Sequence, residues 1–201
     1  MKVIGITGGV GAGKTTVVDV LTKHYKVVFL CCDTIAHDLM KKGKAAYEQI
    51  VSHYGEKILA ADGEIDRKKL SKEAFLMPDG TAFLNRIVHP LVRKEVEERI
   101  ASCEKAEYDG IIVVEAALLL EAGYQDICDE IWYIDASEQT RRERLRENRG
   151  YSDEKITALF QKQYTKEQFA AGCNFTIENE TEEKQTQGTV LEQIQKHFAL
   201  R

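Results

Sequence analysis

Ile4-Gly-Ile-Thr-Gly-Gly-Val-Gly-Ala-Gly-Lys-Thr-Thr16 stands near the head of the chain, and its reading decides the fold. Gly8, Gly13, Lys14 and Thr15 satisfy the pattern G-x-x-x-x-G-K-[ST]. Lys2–Thr7 before it is a short apolar, β-branched run, which predicts a buried strand. After it, Val17, Val18, Leu21 and Thr22 recur at helical spacing. A strand, a glycine-rich turn and a helix in that order is the context the pattern needs; a turn that binds nothing has no need of it. Glycines at 8, 9, 11 and 13 let the backbone fold tightly and point N–H groups inward. With the positive end of the helix beginning near Gly13, they predict a cradle for a polyphosphate. The expected contacts are Gly9, Gly11, Ala12, Gly13, Lys14, Thr15 and Thr16. Lys14 would reach the β- and γ-phosphates, and the Thr15 hydroxyl would sit on Mg²⁺. The motif therefore predicts a nucleoside triphosphate with Mg²⁺ and leaves the destination of the phosphate open.

The chain has 201 residues, enough for one α/β domain with inserted helices. A net charge of −5 gives no reason to expect nucleic acid, although local basic clusters can still hold a small anion. Five cysteines, at 31, 32, 103, 128 and 173, form no C-x-x-C and no metal-binding spacing. An odd count without a secretory leader pattern predicts reduced thiols and a cytoplasmic, soluble protein. No stretch approaches a membrane span.

Four more strands are expected: Lys26–Cys32, Tyr108–Val114, Glu130–Asp135 and Phe175–Glu178. Tyr108–Val114 is nearly continuous in Ile and Val, so both of its faces should be buried. Helical patterns fill the gaps: a run through Ile35, Ala36, Leu39 and Met40, then Ala45–Tyr54, a helix capped by Asp66, Thr81–Val88, Pro90–Cys103, Ser137–Arg149, a start at Ser152, and Thr181–Leu200. Pro90 suits the first turn of its helix. Strands alternating with helices predict a parallel sheet flanked by helices. Within a single domain spanning 1–201, the core is expected at about 1–42, 104–136 and 172–201. A strand-free helical insertion would occupy about 43–103, and an Arg-rich lid about 137–171. Ligands of such sheets bind at the carboxyl ends of the strands. That rule gathers Gly8–Thr15, Asp33, Glu115 and the loop after Asp135 onto one rim.

Asp33 ends a strand and starts a helix, which allows two readings. It caps the helix, or its carboxylate accepts a proton from an acceptor hydroxyl beside the γ-phosphate. A carboxylate base makes sense only if the acceptor is an alcohol, so Asp33 separates hydroxyl kinases from kinases of nucleotide phosphates. Arg141, Arg142, Arg144, Arg146 and Arg149 crowd one stretch. Some are a solvated face with i, i+4 partners such as Glu143 and Glu147; others can clamp phosphate and close over it. Arg142 and Arg149 are the selected candidates. His89, Arg67 and Arg93 would not be singled out on physical grounds alone.

The ordered series of motifs across nearly the whole chain resembles the dephospho-coenzyme A kinase family. Asp33-Thr-Ile-Ala-His37 is similar to its D-x-I-A-H/R segment, and Tyr54-Gly55 with Asp62-Gly-Glu-Ile-Asp-Arg67 and Leu70 to its F-G…D-G-x-I-D-R-x-x-L. Ile87-Val-His-Pro90, Gln139-Thr-Arg-Arg142 and Ile177-Glu-Asn179 resemble I-x-H-P, Q-x-x-R and V-I-D-N. Glu115-Ala-Ala-Leu-Leu-Leu-Glu121 departs from D-x-P-L-L-F-E in two places, Cys173-Asn174 stands for Ala-Asp, and Glu147-Asn-Arg-Gly-Tyr151 differs in spacing. The resemblance implies a P-loop NTPase fold with a five-stranded parallel sheet, and transfer of the γ-phosphate of ATP to the 3′-hydroxyl of dephospho-coenzyme A. It implies Asp33 as base, Lys14 and Arg142 in the chemistry, Arg149 on ATP, and Arg67, His89, Arg93 and Glu115 on the substrate. The partners expected are small molecules only, with the chain as a monomer. The rivals are a nucleoside or nucleoside-monophosphate kinase, and a nucleotide-binding switch. The switch reading lacks an N-K-x-D-type guanine-reading segment.

Overall fold

A computed structural model describes residues 1–180 and 183–198, with the side chains of Glu183, His197 and Phe198 outside the description. Contacts divide the chain into two compact units, Met1–Leu30 with Glu107–Arg201, and Cys31–Ala106.

The first unit is built on the sheet. Lys2–Thr7 is β1, Val27–Cys31 β2, Ile111–Glu115 β3, Glu130–Asp135 β4 and Phe175–Glu178 β5, in the order β2-β3-β1-β4-β5. β1 runs parallel to β3 and β4, and β4 parallel to β5. The five-stranded parallel sheet is the one expected, with β2 and β3 shorter than the apolar runs. Ile112, Val113 and Val114 are fully buried, as a strand covered on both faces must be. The helices of this unit are α1 (Lys14–His24), α6 (Glu138–Arg149), α7 (Asp153–Phe160), α8 (Lys166–Gly172) and α9 (Glu183–Phe198). Val17, Val18 and Leu21 of α1 join Ile4, Ile6, Trp132, Ile134, Val190 and Ile194 in one core. For the expected last helix, Thr181 and Leu200 lie outside the described residues. Ser137, Ser152 and Thr165 cap α6, α7 and α8 with side-chain oxygens, which fixes where each begins.

The register sets the rim. Ile6 lies beside Glu115, Thr7 beside Tyr133, and Asp135 beside Glu178. The chain leaves β1 where its two neighbours in the sheet diverge in sequence, the switch point at which such sheets bind ligands.

The second unit holds α2 (Cys32–Leu39), α3 (Tyr47–Tyr54), α4 (Arg67–Leu76) and α5 (Gly80–Lys105). Ala46, Ile50, Tyr54, Ile58, Leu70 and Ala74 form a core of their own. Asp66 caps α4 as expected, accepting from Lys68 N at 2.9 Å and Lys69 N at 3.1 Å. One expectation fails. Thr81–Val88 and Pro90–Cys103 are not two helices but one 26-residue helix with Pro90 inside. Proline there costs one backbone bond, to the carbonyl of Arg86. Arg86 and Pro90 are exposed, so water can take that place, while Leu84, Ile87, Val88 and Leu91 pack against the core on both sides of the break.

Candidate functional site

The turn after β1 is held by its carbonyls. Gly9 O accepts from Ala12 N at 3.1 Å and Gly13 O from Thr16 N at 3.0 Å. Val10 O accepts from Arg141 Nε at 2.9 Å. Ala12 O accepts from Asn179 Nδ2 at 2.8 Å and from Arg144 Nη1 at 3.3 Å. Gly8 O accepts from Lys14 Nζ at 3.1 Å. These contacts hold the turn in shape; Ala12 and Thr16 spend their N–H groups within it and Val10 spends its own on Gln163 Oε1 at 3.2 Å, so an anion would meet the N–H groups of the remaining loop residues. Gly13 is the N-cap of α1 with φ 88°, a left-handed conformation. A Cβ there would lie 2.1 Å from Asn179 Nδ2, so both backbone and space demand glycine. Thr15 and Thr16 follow in the first turn of α1, with Thr15 exposed.

Glu115, at the end of β3, brings a carboxylate oxygen to 3.7 Å from Lys14 Nζ, and both side chains are largely buried. The longer carboxylate at this position thus reaches the loop lysine. Thr7 closes β1 just before the turn; among the described residues its Oγ1 is a buried oxygen without a hydrogen-bond partner.

Asp135 ends β4 with Tyr133 Oη donating to its Oδ1 at 2.7 Å and Lys166 Nζ paired to its Oδ2. Burial, followed by the Asp135 hydrogen bond, drives the Tyr133 phenol far above its ordinary pKa. Burial pushes the nearby Cys173 thiol up to about 11, so it stays protonated. These groups tie α8 to the sheet.

The arginines divide by helical phase. Leu145 is the one apolar side chain of α6 and the only one of its residues that is fully buried. Arg141, one turn earlier, and Arg144, its neighbour, lie against the loop; Arg144 Nη2 also donates to Asn179 O at 2.8 Å. Arg142, a selected candidate, pairs with Glu138 Oε1 at 2.8 Å and donates to Thr157 Oγ1 at 3.1 Å. Arg149 is exposed at the end of α6, and its hydrogen bond lowers the pKa of Tyr151. Sequence reading names Arg141 and Arg144 without selecting them, quotes Asn179 only within a motif, and passes over Gln163, whose Oε1 accepts from Arg141 Nη2 at 2.8 Å. For the arginines the signal was present: Leu145 marks the inward face.

In the second unit, Asp33 stands in the first turn of α2, exposed, directly after β2. The N-cap of α2 is Cys31, without a side-chain capping bond, and Asp33 stands inside the first turn, where its carboxylate faces the positive end of the helix. Arg67 lines a cavity of about 300 Å³ with His37, Met40, Lys41, Glu64 and Ile65. His89 is exposed on α5, and Arg93, one turn on, donates to Glu97 Oε1 at 2.8 Å. No helix among the described residues is long and apolar enough to cross a membrane.

A family model described as dephospho-CoA kinase matches residues 2–185. A dephospho-CoA kinase of Streptococcus mutans is 38% identical over 154 residues, 76% of this chain and 76% of the relative. One of Carboxydothermus hydrogenoformans is 32% identical over 196 residues, 98% of this chain and 94% of the relative. A crystal structure from Thermus thermophilus superposes with a TM-score of 0.82 at 25% identity, covering 98% of this chain and 97% of the other.

Proposed function

The chain belongs to the dephospho-CoA kinase family, and from that premise we propose how its residues divide the work. The reaction is transfer of the γ-phosphoryl group of ATP to dephospho-CoA, giving CoA and ADP, the last step of CoA synthesis. The acceptor is the 3′-hydroxyl of the substrate's ribose. The loop of residues 8–15 holds the β- and γ-phosphates on its N–H groups, with Lys14 Nζ as the mobile charge. In the structure described here Lys14 is engaged by Gly8 O and Glu115, a polar setting it can exchange for phosphate oxygens without entering an apolar one.

Mg²⁺ fits the residues present: a hydroxyl at Thr15, in the first turn of a helix whose cap leaves no room for a Cβ, and a carboxylate at Glu115. Thr15 would hold the ion directly and Glu115 through water; bound there, it neutralises charge on the β- and γ-phosphates. Asp33 takes the proton from the 3′-hydroxyl as that oxygen bonds to the γ-phosphorus. The bond from the γ-phosphorus to the bridging oxygen breaks, and ADP leaves. Arg142 and Arg149 supply further charge from α6, Arg142 by exchanging Glu138 for phosphate. Arg67, His89 and Arg93 contact the substrate, Arg67 from the cavity it shares with His37 and Lys41. The enzyme acts on small molecules as a cytoplasmic monomer.

The observation that carries the loop assignment is the engagement of its carbonyls by Arg141, Arg144 and Asn179. The test is ADP release with ATP and a panel of acceptors: dephospho-CoA, adenosine, AMP, CMP and water. Turnover with dephospho-CoA far above the rest is expected. Strong turnover with AMP or CMP and none with dephospho-CoA would remove the assignment; slow hydrolysis indifferent to every acceptor would indicate a nucleotide switch.

A further inference from the structure

Val10 has both of its backbone polar groups held by side chains from beyond β4. Its carbonyl accepts from Arg141 Nε at 2.9 Å. Its N–H donates to Gln163 Oε1 at 3.2 Å, and Arg141 Nη2 donates to the same oxygen at 2.8 Å. Val10, Arg141 and Gln163 thus close a ring of three hydrogen bonds. An amide oxygen has two lone pairs and suits two donors at once; a guanidinium is a planar fork that can serve a carbonyl and an amide together. The fork is itself held flat, with Arg141 Cζ 4.1 Å from the centroid of Phe160 in α7. It also lies hard against the loop, because a Cβ on Gly9 would come within 2.4 Å of Arg141 Cζ.

We propose that Gln163 and Arg141 are positioning residues for ATP: they fix the two peptide groups that flank the Val10 Cα and so aim the N–H groups that follow in the loop. The inference rests on the reading that this loop holds the triphosphate. Gln163 lies between α7 and α8, and Phe160 closes α7. The segment that follows α6 is therefore coupled to the shape of the phosphate cradle, and a loop correctly formed for ATP is one on which that segment is already seated. Neither side chain need touch the nucleotide for this. Its effect falls on ATP and spares the acceptor, which is how it differs from a purely structural contact.

The experiment compares Gln163→Met, which keeps length and loses the acceptor, with Gln163→Glu, which keeps the acceptor oxygens beside Arg141. Calorimetric titration with ATP is run on each, together with kcat and both KM values. For Gln163→Met, KM and Kd for ATP should rise about tenfold, the scale of one well-made hydrogen bond, with KM for dephospho-CoA within about twofold. Gln163→Glu should recover most of that loss. Arg141→Lys, which keeps charge and loses the fork, should reproduce the Gln163→Met pattern and carries the test if that variant does not fold. Unchanged ATP binding in Gln163→Met overturns the inference. So does a Gln163→Glu variant no better than Gln163→Met, or a parallel fall in both KM-based efficiencies and in melting temperature. Wild-type protein that binds no ATP would instead remove the loop reading itself.

Discussion

Asn179→Ala tests the carbonyl scaffold most directly. The side chain is 5% exposed; Nδ2 donates to Ala12 O at 2.8 Å and, at 3.4 Å, to Gly13 O, and Oδ1 accepts from Thr186 Oγ1 at 3.0 Å. Truncation loses the anchor on the loop, worth about 1 kcal/mol net. It also strands the Thr186 hydroxyl, which is 1% exposed. An orphaned buried hydroxyl costs about 1–3 kcal/mol. Ala12 O keeps its bond from Arg144 at 3.3 Å, which limits the damage on that side. The sum is about 3 kcal/mol, or roughly 6–12 °C in melting temperature for a chain of this size. Urea denaturation should show the loss as a shift of midpoint at constant slope. Thr186→Val on the same background removes the stranded hydroxyl and should return about 1 kcal/mol. KM for ATP should rise as well, because Ala12 and Gly13 are the residues that set the start of α1. A loss below about 1 kcal/mol, or no recovery on adding Thr186→Val, would refute the claim that this amide ties the loop to β5.

Asp33→Asn should lower turnover at least about a hundredfold while ATP binding, measured by calorimetry, stays nearly unchanged; little change in turnover would end its role as base. Thr7→Val removes a buried oxygen that has no partner among the described residues, and should raise stability by about 1 kcal/mol in denaturant titration; a loss would mean that oxygen is bonded. The Cys173 thiol, with its pKa raised by burial from 9.0 to about 11, binds its proton more tightly folded than unfolded. Stability from this source is complete below pH 9 and is lost as pH rises towards about 11, so Cys173→Ala should flatten the fall in melting temperature across that window.

The β1–loop–α1 unit was legible because its chemistry is written in consecutive residues: a β-branched run, glycines where a side chain has no room, then Lys14 and Thr15. The strands were legible for a related reason. A parallel strand covered on both faces has to be apolar throughout, and Ile111–Val114 is. The single helix through Pro90 was not legible, because a proline signals a boundary locally, and only the packing of Leu84, Ile87, Val88 and Leu91 overrides it. The braces of the loop were hidden for another reason. Asn179 and Gln163 bond to residues 167 and 153 positions away, and nothing local marks a lone amide as a partner for a distant carbonyl. Arg141 and Arg144 fall between: five arginines in one stretch look alike until Leu145 supplies the phase.

The order of assembly follows from where the sheet finds its partners. β1 and the glycine turn find their partners far along the chain: Val3 pairs with Ile112, and the turn is braced by Arg141 and Asn179. Residues 31–106, by contrast, contain a helical core closed by contacts within one continuous stretch. Local helical contacts form quickly, whereas joining distant segments carries the entropy of closing a long loop. The braced form of the loop therefore depends on segments far along the chain, whereas the helical core of residues 31–106 depends on near ones.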